Sequence, residues 1–192
     1  MFQPKLQHQL VLASKSPRRQ DLLKGLGFDF EIRTKEVEEI YPPHLKREEV
    51  ALFLSELKSA AFKNEVKDNE IIITSDTIVC LGNEILGKPK SEQGAIEMLQ
   101  QLQGNQHEVI TAVTLMSESK KVSFFSETKV YFKSLSLEEI TYYVTNFKPM
   151  DKAGSYGIQE WIGYVGIEKI EGSYFNVMGF PVHQINEELL KF

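Results

Sequence analysis

A carboxylate stands inside one of the most apolar runs of this sequence: Asp76, in EIIITSDTIVC from Glu70, lies between Ile71-Ile72-Ile73 and Ile78-Val79. An isolated buried carboxylate is costly, so such a residue must meet a metal ion, a cationic side chain or hydrogen-bond donors. At the C-terminal end of a parallel strand it would lie where open α/β sheets place their ligands. A structural Asp tied to a neighbouring lysine or a loop N–H is the competing reading. The nearest acidic partners along the chain are Glu36, Glu38 and Glu39. Mg²⁺ takes oxygen ligands and usually combines one or two carboxylates with water and substrate phosphates. The sequence alone does not select one of the three, and acidic runs of this kind are more often solvated loop faces.

A second constellation opens the chain. In LVLASKSPRRQDLL, residues 10 to 23, Leu10 to Ala13 read as a short apolar strand and Ser14-Lys15-Ser16 as a tight polar turn. Ser16-Pro17 fits a helix start, with Ser as N-cap and Pro at the first helical position. Arg18 and Arg19 then fall in the first turn, where the helix dipole is already positive, at a cost of roughly 0.3–1 kcal/mol each unless an anion offsets it. With Lys15 beside them, a phosphate-bearing ligand at the helix start would resolve the conflict. A solvated basic turn is the plain alternative.

Other motifs fail or stay open. GNEILGKP, from Gly82, almost matches G-x-x-x-x-G-K-[ST], but Pro89 brings neither a hydroxyl for Mg²⁺ nor an N–H for a phosphate cradle. A P-loop is rejected, while Lys88 stays a candidate phosphate contact. Lys58 sits on a helix beside its apolar stripe, where a surface lysine is the default reading. There is no G-x-S-x-G elbow. His8, His44, His107 and His183 are scattered without ligand spacing, which argues against zinc.

Bulk properties bound the function. At 192 residues the chain suits one domain, or at most two small lobes, and its 42% hydrophobic and 26% charged residues are ordinary for a soluble globular protein. A net charge of −5 argues against coating nucleic acid or an anionic membrane, so a basic cluster is better read as a pocket for a small anion. The single cysteine, Cys80, excludes an internal disulfide, fits a reducing compartment and reads as inert core packing. The opening MFQPKLQHQ has no leader-type apolar run and no stretch approaches transmembrane length, so a cytoplasmic protein is expected.

The elements that would position these residues follow from periodicity. Leu22, Leu23 and Leu26 face a first helix ended by Gly25 and Gly27, and FDFEIR from Phe28 alternates as a half-buried strand. EVEEIYPP is an acidic loop. A long helix from about Arg47 to Asn64 carries Val50, Leu54, Leu57 and Ala61 on one stripe. The run containing Asp76 is a central strand covered on both faces, followed by a hairpin turn at Gly82-Asn83. A helix spans about Glu92 to Gln103, two long antiparallel strands cover HEVITAVTLM and KVSFFSETKVYFK, and Ser136 to Glu139 is a capping box for a helix bearing Ile140, Tyr143, Val144 and Phe147. DKAGSYGIQ is a glycine-bearing loop, YVGIEKI is strand-like, and Pro181 starts a last helix with Val182, Ile185 and Leu189. The expected class is α/β with a mixed sheet.

Taken together, ASKSPRRQDLL, SDTIV, LGKP, AIEML with GNQHEVITAV, DKAGSYGIQ and EGSYFNVMGFP resemble the Maf family of nucleoside triphosphate pyrophosphatases, in family order from about Leu10 to Pro181. The resemblance implies an elongated mixed β-sheet flanked by helices, like the inosine triphosphatase (Maf/Ham1) fold, as a single domain over residues 1–192 with a central active-site cleft. It implies that Asp76 is the proton acceptor, that Glu39 and Asp76 hold a divalent cation, Mg²⁺ or Mn²⁺, and that Lys58 and Lys88 join them in catalysis. Ser14 and Arg19 match the family's phosphate-contacting residues. Arg18, Thr77 and Gln159 match its selectivity markers, in the combination of the branch acting on dTTP and UTP; the branch acting on 7-methyl-GTP carries Trp, Gln and Glu there. Glu38-Glu39 stands where the family more often shows Asp-Glu, and Ser75 where it often has Ala.

The reaction so implied is water attack at the α-phosphorus with pyrophosphate leaving. A Gln amide both donates and accepts, which suits the adjacent carbonyl and N3–H of uracil or thymine. The competing readings are a pyrophosphatase for 7-methyl-GTP or other non-standard nucleotides, and a regulator that senses a nucleotide without cleaving it. The partner expected is a nucleoside triphosphate, with neither a nucleic acid polymer nor a membrane, and the resemblance suggests a homodimer.

Overall fold

The computed structural model describes residues 6–192; the first five, part of the MFQPKLQHQ stretch read above as lacking a leader, lie outside the described residues. In chain order the elements are β1 (Gln9–Leu12), α1 (Pro17–Gly25), β2 (Phe30–Ile32), α2 (Glu48–Ala60), β3 (Glu70–Leu81), β4 (Glu84–Leu86), α3 (Glu92–Leu102), β5 (Gln106–Met116), β6 (Lys121–Phe132), α4 (Leu137–Phe147), α5 (Trp161–Gly166), β7 (Ile167–Glu171), α6 (Tyr174–Val177) and α7 (Val182–Leu189). The strands form one sheet in the order β2-β1-β3-β5-β6-β7, with β4 also paired to β3. β1 runs parallel to both β2 and β3, whereas β3–β4 and β6–β7 are antiparallel. The mixed sheet flanked by helices is therefore the α/β arrangement expected from the sequence, with the β-branched run of β3 at its centre.

The chain divides into two compact units: the described residues up to Asp76 with Thr111–Ser126 and Gly179–Phe192, and Thr77–Ile110 with Glu127–Met178. In the first unit the period-2 alternation of strands sends neighbouring residues to opposite faces. Leu10, Leu12, Ile71 and Ile73 pack with Leu23, Phe180, Ile185 and Leu189, while Val11 and Ile72 pack on the other face with Phe62 and Met116. Helix α2 is seated differently from the expected Val50-Leu54-Leu57-Ala61 stripe. Its buried residues are Val50, Ala51, Leu54, Ser55 and Ser59, and Leu57 is only half-buried. The reason is polar: Ser55 Oγ shares a hydrogen bond with Thr114 Oγ1 (2.9 Å), Thr74 Oγ1 donates to the Ser55 carbonyl (2.7 Å), and Ser59 Oγ donates to Met116 Sδ (3.3 Å). Small hydroxylated side chains let the helix lie close to the sheet, and Lys58, beside Ser59, is half-buried. The helix also ends at Ala60, short of Asn64.

In the second unit α3 and α4 contribute Ala95, Leu99, Leu102, Ile140, Tyr143 and Val144 to a core completed by Val79, Val109, Val130, Phe132 and Ile162. The capping box forms as expected, Ser136 Oγ accepting from the Glu139 N–H and the Glu139 carboxylate from the Ser136 N–H. One element departs from expectation. Tyr164, Val165 and Gly166 of YVGIEKI belong to helix α5, and the strand β7 starts only at Ile167. Turn-forming bonds from the Glu160 N–H to the Gly157 carbonyl (3.0 Å) and from the Gly163 N–H to the Glu160 carbonyl (2.9 Å) wind the chain here, and the apparent alternation straddles the junction.

His107 on β5 is wholly buried, its Nε2 hydrogen-bonded to Tyr156 Oη at 2.7 Å and its Nδ1 without a partner among the described residues. Burial lowers its pKa to about 4 from the usual 6.5. Below pH 6.5 the unfolded chain takes up a proton that the folded chain refuses until about pH 4, so stability falls as pH drops through that window. The expected loss is about 3 kcal/mol. Urea denaturation between pH 7 and 4 checks it: a His107→Gln variant should lack this component of the slope, and an identical slope in both proteins would exclude His107 as its source.

Candidate active site

The last residues of β1 and β3 paired in parallel are Leu12 and Ile73, so Asp76 sits three positions beyond the C-terminal end of the neighbouring strand. That is the ligand-facing rim expected for an open sheet. The Asp76 side chain is nearly buried and forms a hydrogen-bonded ion pair with Lys58 Nζ. The same ammonium lies 2.9 Å from Glu39 Oε1. Lys58, near the end of α2, thus gathers the strand carboxylate and one loop carboxylate at a single point. This geometry selects Glu39 from the acidic run; Glu36 instead makes an exposed pair with Lys15 at 3.6 Å. Burial pushes the Asp76 carboxyl above its usual pKa, opposed by Lys58 and Arg19 and reinforced by Glu39.

Ser14 lies in the turn between β1 and α1, and Arg18 and Arg19 in the first turn of α1. Ala13 continues the parallel ladder by donating to the Ile73 carbonyl (2.9 Å), and Ser14 Oγ then accepts the Ser16 N–H (3.2 Å). Ser16 occupies the N-cap position and Pro17 the first turn, as read from the sequence, but the Ser16 side chain makes no capping bond. The half-buried Arg19 donates from Nε to the Gly179 carbonyl (2.9 Å) and from Nη1 to the Ser75 carbonyl (2.8 Å). Two main-chain carbonyls therefore answer part of the charge that the sequence left unmatched at the helix start. Desolvation lowers the Arg19 pKa, the field of Asp76 raises it, and Arg18 lowers it further. Arg19 holds the backbone immediately before Asp76, a role that main-chain acceptors keep out of sight in the sequence.

The remaining candidates belong to the second unit. Thr77 follows Asp76 on β3 and is half-buried, and Lys88 is exposed beside a buried Pro89. The segment from Gly82 is a hairpin and a coil, consistent with rejecting a P-loop. The 151–159 loop is fastened to both neighbours: the Gly154 N–H donates to the Gly87 carbonyl (3.2 Å), and Gly154 adopts φ +70° so close to Val79 that a Cβ would lie 2.8 Å from its side chain. Only glycine meets both demands. Gln159, at the end of this loop, is half-buried; its carbonyl accepts from Tyr164 Oη (3.0 Å), and its side-chain Oε1 is shielded without a hydrogen-bond partner among the described residues. An unpaired shielded acceptor costs about 1–3 kcal/mol until a donor reaches it.

The sequence reading missed the support beneath this loop. Tyr143 Oη, on α4, accepts the Gly157 N–H (3.0 Å) and donates to Glu160 Oε2. Lys152 Nζ meets Glu160 Oε1 (3.1 Å) and Asp151 Oδ1 (2.8 Å). The available signal was a pair of charges, Lys152 and Glu160, bracketing an otherwise uncharged loop.

Among the described residues no group of three His, Cys, Asp or Glu side chains converges as a metal cage. The donors that do converge, Glu39 and Asp76, are hard carboxylate oxygens already gathered round one cationic group. Such a pair fits Mg²⁺ or Mn²⁺, which complete their shells with water and phosphate oxygens. No helix among the described residues is long and apolar enough to cross a membrane.

Comparison with known proteins finds relatives along nearly the whole chain. Residues 9–192 match the family described as Maf-like protein. The chain is 52% identical over 190 residues to the dTTP/UTP pyrophosphatase of Flavobacterium johnsoniae, covering 98% of each chain. It is 51% identical over 182 residues to the protein of that name from Christiangramia forsetii, covering 95% of this chain and 93% of the relative. The corresponding protein of Phocaeicola vulgatus is 51% identical over 185 residues, with 96% of each covered. Among solved structures, the Staphylococcus aureus Ham1 protein aligns over 65% of this chain and 71% of its own at 20% identity, with a TM-score of 0.46.

Proposed function

We propose that this chain, which belongs to the Maf-like protein family, is a hydrolase that converts dTTP and UTP to the nucleoside monophosphate and pyrophosphate. The observation that carries the reading is the meeting of Asp76 and Glu39 on the Lys58 ammonium, in a chain about half identical along nearly its whole length to relatives bearing that activity in their names.

Water attacks the α-phosphorus, the bond to the bridging oxygen breaks, and pyrophosphate leaves. Asp76 takes the proton of the attacking water; burial raises its proton affinity above that of an ordinary carboxylate, which suits a base. A divalent cation, Mg²⁺ or Mn²⁺, held by Glu39 and Asp76 would supply charge neutralisation on the phosphate oxygens. Lys58, Lys88, Arg19 and the Ser14 turn counter the charge that accumulates on the departing pyrophosphate. Arg18, Thr77 and Gln159 serve base recognition, Gln159 Oε1 accepting the ring N3–H that uracil and thymine share, and Arg18 donating to a ring carbonyl.

The test is a nucleotide panel with Mg²⁺ and with chelator, read by pyrophosphate and orthophosphate release separately. Pyrophosphate from dTTP and UTP, abolished by chelator, is expected. Orthophosphate alone would mean cleavage at the γ-position, and nucleotide binding without any product would leave a sensor.

A further inference from the structure

A glutamine amide on its own is a poor judge of pyrimidines. Turned by 180° about its last bond, it offers cytosine an N–H for the bare N3 and an oxygen for the exocyclic amine as readily as it offers uracil the reverse. Base selection by Gln159 therefore requires something that fixes which end of the amide faces which way.

The structure places a carboxylate where it can do this. A Cβ on Gly157 would lie 2.9 Å from Gln159 Nε2 and 2.9 Å from Glu160 Cδ, so the amide nitrogen and the Glu160 carboxylate approach one point beside the Gly157 Cα. The nitrogen, not the oxygen, is the end of the amide that reaches this point, which Glu160 Oε1 also approaches at 3.1 Å, and the amide oxygen has no partner among the described residues. Glu160 is itself held firmly. Lys152, whose side chain is 9% exposed, contacts one carboxylate oxygen at 3.1 Å, and the buried Tyr143 hydroxyl donates to the other while accepting the Gly157 N–H. Both carboxylate oxygens are occupied, so the group keeps its orientation.

We propose that Glu160, clamped by Lys152 and Tyr143, is a positioning residue that sets the orientation of the Gln159 amide and thereby the preference for uracil and thymine over cytosine. The proposal rests on the base-recognition part of the function given above, and makes nucleotide preference a property of the clamp as well as of Gln159.

Two variants test it. Glu160→Gln keeps shape and removes the charge; Tyr143→Phe keeps the ring and frees one carboxylate oxygen. The measurements are kcat/KM for UTP and CTP with Mg²⁺, and, in chelator, the affinities for UMP and CMP read from the fluorescence of Trp161, the single tryptophan, which follows Glu160. In both variants the uridine-over-cytidine ratio should fall about tenfold, chiefly through KM for the uridine nucleotide, with kcat for UTP within about threefold of wild type. A ratio unchanged in both variants overturns the proposal even where activity or Tm declines, as does a wild-type protein that does not distinguish UTP from CTP. A wild-type protein that hydrolyses neither nucleotide but binds UMP over CMP, with that preference lost in Glu160→Gln, overturns the hydrolytic reading and supports the clamp. Absence of both hydrolysis and selective binding removes both.

Discussion

Asp76→Asn is expected to fold with near-wild-type Tm and to release pyrophosphate from UTP about 10²–10⁴-fold more slowly. The substitution keeps the volume of the side chain in its nearly closed position and removes the group that accepts the proton. Lys58 keeps its contact with Glu39 at 2.9 Å, so its charge is not left unpaired. Asn cannot take the proton, and it is a weaker oxygen donor to a divalent cation, so both losses act in the same direction. Steady-state turnover alongside thermal unfolding separates chemistry from folding. Turnover within about threefold of wild type would take Asp76 out of the mechanism.

Glu70→Gln should produce the largest loss of stability at a residue outside the site, about 3 kcal/mol at neutral pH. Glu70 starts β3 with its side chain fully buried, and Arg33, just after β2, binds both of its oxygens at 2.9 and 3.1 Å. The Lys67 N–H adds a third bond at 3.2 Å. The Arg33 bonds are the main reason that the Glu70 pKa is lowered to about 2 from 4.5, with burial opposing them. The contribution is therefore fully present above about pH 4.5 and disappears as pH falls towards 2. In a chain of this length the loss corresponds to a Tm lower by roughly 6–12 °C. Thermal unfolding at pH 7 and pH 2.5 checks the argument: the two proteins should differ at pH 7 and converge in acid. An equal difference at both pH values would assign the loss to packing.

Features whose cause is local were legible in the sequence. The β-branched run of β3, the Gly82-Asn83 hairpin and the Ser136 capping box depend on a few neighbouring residues, and the structure contains all three. The strand-like reading of YVGIEKI failed because Val165 and Ile167 lie on either side of a helix–strand junction and mimic alternation across it. The stripe assigned to α2 was displaced because serine counts as polar in any hydrophobic periodicity, yet Ser55 and Ser59 are the buried contacts. At the site, Asp76 stood out as a charge in an apolar strand. Glu39 did not stand out from Glu36 and Glu38 by residue type; its choice depends on where α2 brings the Lys58 ammonium, and only the family resemblance pointed to it beforehand. Arg19 was read for its charge, and its partners at Ser75 and Gly179 are backbone oxygens, which any residue provides.

The acceptors of Arg19 also bear on the order in which the chain can mature. One comes from the middle of the sequence and the other from the segment Gly179–Phe192, which completes the first unit. During synthesis from the N-terminus, the corner that grips the backbone before Asp76 stays half-tied until the Gly179–Phe192 segment emerges and docks. A nascent chain can pair β1 with β3 early, but it completes this corner only after Gly179 has been made. A chain that stops before Gly179 therefore retains Arg19 and Asp76 but lacks one of the two carbonyls that hold Arg19 in place.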